Sequence, residues 1–287
     1  FTPSTAWFSD KKLTIDGMQL NEEGYRIFSS FLSNALFEEG KKYDDTAFEG
    51  VRARVIDKNW FWQNDFKIPN GVHVFGRRYD PFGSDNYPDE LKKIRELTQI
   101  RDTAIWSFMK NSPYDVALAD GQTQELTVVE TNYRNTEEVS YLYGEEALAT
   151  LNVPEGYEIE LFASEETFPD LANPVQLSFD DKGRLWVATM PSYPHYKPGD
   201  VKPNDKLLIL EDTNGDGKAD QQTIFADGLH LPIGFELASE GVYISQGNHL
   251  KLYKDVDGDD QADEVEILLS GFDDHDTHHA ISAFTVD

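Results

Sequence analysis

The segment Leu208-Ile209-Leu210-Glu211-Asp212-Thr213-Asn214-Gly215-Asp216-Gly217-Lys218-Ala219-Asp220 decides how the second half of this chain folds. It recurs as Leu252-Tyr253-Lys254-Asp255-Val256-Asp257-Gly258-Asp259-Asp260-Gln261-Ala262-Asp263, with Asp255 following Asp212 by 43 residues. In both copies an apolar, strand-like run meets an acidic, glycine-bearing turn. The registration continues downstream, where Phe225-Ala226-Asp227-Gly228-Leu229 corresponds to Leu268-Leu269-Ser270-Gly271-Phe272.

Working outward, residues 175–179 and 184–189 flank the turn Asp180-Asp181-Lys182-Gly183 and predict a hairpin. Residues 235–237 and 242–245, with a turn ending at Gly241, predict its counterpart in the next repeat. Short strands at a period of about 40–45 residues are the signature of β-propeller blades. At that spacing residues 149–287 hold about three blades, fewer than the minimum of about four for closure. The expected fold class is therefore mixed. A mainly helical N-terminal segment precedes an incomplete all-β propeller. The expected divisions are 1–50, 51–148 and 149–287. The stretch 191–205, rich in Pro and Tyr, is a long loop of the kind that shapes sites.

The acidic turns carry a chemical mechanism. Asp212, Asn214, Asp216 and Asp220 occupy positions 1, 3, 5 and 9 of a Ca²⁺-loop pattern. Gly217 sits at the sharp turn and Lys218 at position 7, whose ligand is a backbone carbonyl. Asp255, Asp257, Asp259 and Asp263 repeat the spacing, with Asp260 replacing the glycine. A hard cation needs six to eight oxygens, which alternating acidic residues on a tight turn can converge to supply. Strand-like flanks argue against an EF-hand. Position 12 is Thr223 in the first loop and Glu266 in the second. The plainer alternative is a solvated acidic turn.

Composition bounds the rest. The 287 residues carry 25 basic and 53 acidic groups, a formal net charge of −28. That sign repels phosphate backbones and argues against a nucleic-acid partner, while suiting divalent cations. The charge is concentrated late, with −20 in residues 149–287 against −8 before them. No apolar run is long enough to span a membrane. The absence of cysteine excludes disulfides, thiolate metal sites and an attached c-type haem within this chain. Phe1 and Val286-Asp287 read as cut ends of a longer protein.

The N-terminal half has helical periodicity. Asn21-Glu22-Glu23 opens a helix carrying Tyr25, Phe28, Phe31, Leu32, Ala35 and Leu36 on one face. A second helix begins at Asp89, carries Leu91, Ile94, Leu97 and Ile105, and ends near Lys110-Asn111. Between them, Asn59-Trp60-Phe61-Trp62 and Val72-His73-Val74-Phe75-Gly76 predict an aromatic packing cluster. Leu13-Thr14-Ile15-Asp16-Gly17-Met18-Gln19-Leu20-Asn21 resembles the last block of the SGNH (GDSL-type) hydrolases, Asp-Gly-x-His-Leu-Asn. The resemblance makes residues 1–50 the tail of an α/β SGNH-like domain and 51–148 a helical linker. It carries Asp16 over as a positional match. Gln19 stands where the family has its catalytic histidine, and an amide cannot serve as general base. The implied hydrolase is inactive.

Three of the seven histidines lie in Asp274-His275-Asp276-Thr277-His278-His279. Such a cluster suits a proton acceptor paired with a carboxylate, a transition-metal site or a polar loop. With Glu155-Gly156-Tyr157, Asn173-Pro174, Gly183-Arg184-Leu185-Trp186 and Asp227-Gly228-Leu229-His230 beside it, residues 150–287 resemble the membrane-bound dehydrogenase domain of Planctomycetes, Verrucomicrobia and related bacteria. The resemblance begins at Glu155-Gly156-Tyr157-Glu158-Ile159-Glu160-Leu161-Phe162-Ala163 and runs through Asn173-Pro174. Gly183-Arg184-Leu185-Trp186-Val187-Ala188-Thr189-Met190-Pro191-Ser192-Tyr193-Pro194 and Asp227-Gly228-Leu229-His230-Leu231-Pro232 carry it on to His278-His279-Ala280-Ile281-Ser282-Ala283-Phe284. It implies a glucose/sorbosone dehydrogenase-like quinoprotein using Ca²⁺ and pyrroloquinoline quinone (PQQ). It further implies a sugar or alcohol substrate and a periplasmic or extracellular location. A cytochrome c domain downstream would be the electron acceptor. His279 would be the base, with Asp276 orienting its ring and His278 facing the opposite side. The alternative expectation is a non-catalytic, calcium-stabilised domain that binds carbohydrate or protein.

Overall fold

The computed structural model of the chain describes residues 12–15, 17–37, 45–67, 80, 83–126, 141–193 and 196–284. It divides into two compact units, Phe1–Arg54 and Val55–Asp287. In the first, a tight turn is closed by a bridge between Thr14 and Leu20 and by Ile15 N–H donating to Gln19 O at 2.8 Å. Asn21 then caps α1 (Glu22–Phe37): its Oδ1 accepts the Gly24 N–H at 2.9 Å. A Cβ on Gly24 would lie 2.1 Å from the Leu13 carbonyl oxygen, so only glycine lets the helix sit this close to the turn. Asp16 lies outside the described residues.

α2 (Asp45–Phe66) continues across the boundary between the units, and α3 (Gly83–Met109) follows. The aromatic stretch 59–62 therefore lies inside a helix. Phe61 is buried with Leu97 and Tyr196, with half-buried Trp60 against them, while Trp62 is exposed. Residues 72–76 lie outside the described residues. Arg101 of α3 ties this region together. It donates to both carboxylate oxygens of Asp120 and, at 3.1 Å, to Asp57 of α2, with its guanidinium 4.3 Å from the Phe61 ring centre. Two short helices, α4 (Val116–Asp120) and α5 (Gly144–Leu148), follow among the described residues. Among the described residues, no helix is long and apolar enough to cross a membrane.

The C-terminal part is two four-stranded antiparallel meanders. The first sheet runs β1 (Pro174–Phe179), β2 (Leu185–Thr189), β3 (Asp205–Glu211) and β4 (Gln221–Leu229). The second runs β5 (Phe235–Ala238), β6 (Gly241–Gln246), β7 (His249–Lys254) and β8 (Glu264–Ser270). The continuous apolar run in β3 follows from burial of both its faces. Leu207 and Ile209 join Trp186, Phe225, Phe235 and Ile244 between the sheets. Leu208 and Leu210 face Phe168 and Leu171 on the other side.

The propeller expectation is corrected by these sheets. Among the described residues there are two four-stranded sheets rather than about three; that they do not close agrees with an incomplete arrangement. The fold class is α+β, with helices N-terminal and two open antiparallel sheets C-terminal. Dividing length by period overcounted because residues 149–173 and 271–284 form turns and two short 3₁₀ segments rather than strands. Segment 149–173 still serves the core, through Phe162, Phe168 and Leu171. The described part of the first unit holds helix and one isolated bridge, in keeping with the expected mainly helical N-terminal segment.

A side chain stands in for a strand partner where the sheets meet. The Gln176 amide donates to Phe235 O at 2.8 Å, and its Oε1 accepts the Phe235 N–H at 3.0 Å. Phe235 is fully buried, so losing this amide orphans a backbone N–H and a carbonyl. Gln176→Ala is expected to lower unfolding free energy by about 2 kcal/mol, measured by urea denaturation.

Candidate functional site

The two acidic loops occupy equivalent places, between β3 and β4 and between β7 and β8. Their backbones are organised in the same way. Asp212 accepts the N–H groups of Gly215 (2.7 Å), Asp216 (3.2 Å) and Gly217 (2.8 Å). Asp255 accepts those of Gly258 (2.7 Å), Asp259 (3.2 Å) and Asp260 (2.9 Å). The first carboxylate thus winds each loop around itself. These bonds, led by the one from Gly217, hold Asp212 below its ordinary pKa. Each loop is also pinned to the same carbonyls of its frame: Asp220 N–H to Glu211 O at 2.9 Å, and Asp263 N–H to Lys254 O at 2.8 Å.

The loops differ in how their oxygens are directed. In the second, oxygens of Asp255, Asp257 and Asp263 lie within 4.8 Å of one another, close enough to share one cation. Repulsion from Asp259 and then Asp263 raises the Asp257 pKa. Asp259 caps Gln261 instead, accepting its N–H and its side-chain amide, each at 2.9 Å. In the first loop Asp220 accepts from Thr213 Oγ1 at 2.8 Å and from Asn214 Nδ2 at 3.0 Å. Asp216 accepts the Lys218 N–H at 2.9 Å, and the Lys218 ammonium stands 3.6 Å from Glu145. Glu266, at position 12, lies on β8 with its carboxylate 3.7 Å from the Lys254 ammonium.

Asp260, the residue in the glycine position, adopts a positive φ of 63°. Its carboxylate receives both terminal nitrogens of Arg184 from the other sheet, at 2.8 and 3.0 Å. Arg184 Nε also donates to Asp180 at 2.8 Å, and Trp186 Nε1 reaches the same oxygen at 3.1 Å. The second loop is thereby fastened to the first sheet, a link the spacing of the motif does not reveal.

The histidine cluster departs from its expected geometry. His278 and His279 lie in a 3₁₀ turn (Thr277–His279), and Ala280 to Phe284 form no strand. Strand alternation therefore does not apply. Instead of facing opposite sides, the two rings sit 4.2 Å apart between centres and share one carboxylate. Asp276 lies 2.8 Å from His278 Nδ1 and 3.1 Å from His279 Nδ1. Nitrogen and oxygen atoms of the three converge closely enough to hold a metal ion. The His278 ring approaches Tyr193 at 6.4 Å, which brings the turn beside the 191–205 loop. That loop is anchored by buried Asp205, which accepts the N–H groups of Ser192 (3.0 Å) and Leu231 (2.7 Å).

Residues 144–287 match a family described as Domain of unknown function (DUF7133). The chain belongs to this family. The DUF7133 segment takes in both sheets, both acidic loops and the histidine turn. No curated protein and no solved structure matches the chain.

Proposed function

We propose that the DUF7133 segment is a calcium-dependent domain whose two strand-end loops each bind one Ca²⁺. The observation that carries this is the convergence of Asp255, Asp257 and Asp263 on one point, in a loop already wound by its first carboxylate. The first loop shares that winding and the same acidic spacing. Bound calcium would lock the β3–β4 and β7–β8 ends, and through Asp260 and Arg184 would tie the second loop to the first sheet. Loops of this type in extracellular modules bind at about 10⁻⁴–10⁻³ M. A periplasmic or extracellular location belongs to this reading, since such affinities suit compartments with millimolar calcium. Isothermal titration of CaCl₂ into the protein is expected to give two sites, with Asp212→Ala and Asp255→Ala each removing one. No heat above the dilution blank overturns the proposal.

A second reading is favoured by the Asp276 carboxylate lying against His279. In this reading the protein oxidises a sugar or alcohol hydroxyl: His279 takes the hydroxyl proton and Asp276 holds the ring. A quinone such as PQQ would accept the hydride, and a cytochrome c domain elsewhere would carry the electrons on. No residue of this chain is assigned to the quinone, and without cysteine the chain itself attaches no haem c. Dye-linked sugar oxidation lost in His279→Ala, with folding intact, supports this reading; unchanged turnover removes His279 from it.

A further inference from the structure

One cleft runs against the charge of the whole chain. It has a volume of about 310 Å³ and lies between α2 and the β6–β7 turn. That volume is at the lower end of small-molecule sites. Lys67, Lys251, His230 and His249 line it, with Asp274 as its one carboxylate. In a chain of net charge −28 such a gathering of cationic and imidazole groups is a local reversal of sign.

Lys251 is the unusual member. The β7–β8 pairing shifts register between Leu250 and Lys251, an irregularity of the kind that re-aims a side chain. Its ammonium is desolvated by burial, which lowers its pKa. Among the described residues its ammonium donates to an uncharged acceptor, Gln246 Oε1, at 3.0 Å. The same oxygen accepts from Tyr253 Oη at 2.8 Å. An ammonium carries three donors, and a half-buried one with no carboxylate on it has donors to spare for an anion. Lys67, 3.4 Å from Asp274, and His249, held by Ser270 at 2.8 Å, stand around the same space. Gly247 takes the β6–β7 turn through a positive φ of 55°, which side-chain-bearing residues rarely adopt. Trp60 adds an aromatic wall, and Gln63 and Asn248 add amides suited to hydroxyl groups.

We infer that this cleft binds the oxyanion of a small acidic ligand, with Lys251 and Lys67 as its charge partners. A hydroxylated carboxylate of monosaccharide size fits the lining. The inference is independent of the calcium loops and of the Asp276–His279 pair. The test is isothermal titration of the whole chain at low salt with glucuronate, sodium sulfate and glucose as probes. Glucuronate or sulfate is expected to bind at one site, with glucose at least about tenfold weaker. Lys251→Gln should weaken the anion about tenfold or more. Lys67→Gln, a change at an exposed position, should weaken it in the same direction and covers the case in which the first variant fails to fold. Binding of neither anion, equal binding of glucose, or affinity unchanged in the folded variants overturns the inference.

Discussion

Arg184→Leu is expected to lower unfolding free energy by about 3 kcal/mol, the cost of breaking a buried ion pair from one side. Arg184 is 8% exposed and serves two carboxylates at once. Its loss strands Asp180 beneath Trp186 and frees the second acidic loop from the first sheet. Asp260→Asn should cost much less, because Asp260 is more exposed and Arg184 keeps Asp180. The hydrogen bonds from Arg184 hold Asp260 below its ordinary pKa. Burial pushes Asp180 upward, but the bonds from Trp186 and Arg184 outweigh it and leave it lowered as well. For carboxylates with lowered folded-state values, the stabilisation is complete above the unfolded value of about 3.9. It is lost as pH falls through the folded values. Guanidinium denaturation at pH 7 and pH 3 should show a large wild-type-to-Arg184→Leu gap at the first and a smaller one at the second. An equal gap at both would show that Arg184 acts by packing alone.

Calcium is expected to give the largest effect. A cation that binds only the folded state adds about 2.7 kcal/mol per site at a hundredfold excess over its dissociation constant. Two sites give about 5 kcal/mol, which for a domain of this size raises the melting temperature by about 10–20 °C. Calorimetry in EDTA and in saturating CaCl₂ measures it. Asp255→Ala should remove about half of the shift, and Asp212→Ala the other half. Magnesium should substitute poorly, since it demands tighter octahedral geometry. A shift below 2 °C, or one kept by the doubly substituted chain, would place stabilisation elsewhere.

Both effects involve features of differing legibility in the sequence. The strand-end loops and the hairpins around Asp180-Asp181-Lys182-Gly183 and Gly241 were readable because turn chemistry and period-two alternation are local. α1 was readable for a similar reason, from its cap and apolar spacing. α2 was not: its charged residues interrupt any apolar stripe, so the aromatics at 60–62 suggested a cluster without the helix that carries them. The number of sheets depended on whether segments 149–173 and 271–284 pair with anything, which spacing does not state. The side-by-side arrangement of His278 and His279 follows from a 3₁₀ turn, which strand alternation misrepresents. Arg184 and Asp260 are 76 residues apart, and only the packing of the sheets brings them together. The cationic cleft is equally non-local, joining the end of α2 to β7.

Diffraction data from calcium-grown crystals, collected at long wavelength for calcium anomalous scattering, test the central claim most directly. One anomalous peak is expected among Asp212, Asn214, Asp216 and Asp220, and another among Asp255, Asp257, Asp259 and Asp263. Each peak should lie about 2.3–2.6 Å from the ligating oxygens. Maps with no peak in either loop, from crystals grown at millimolar calcium, would contradict it.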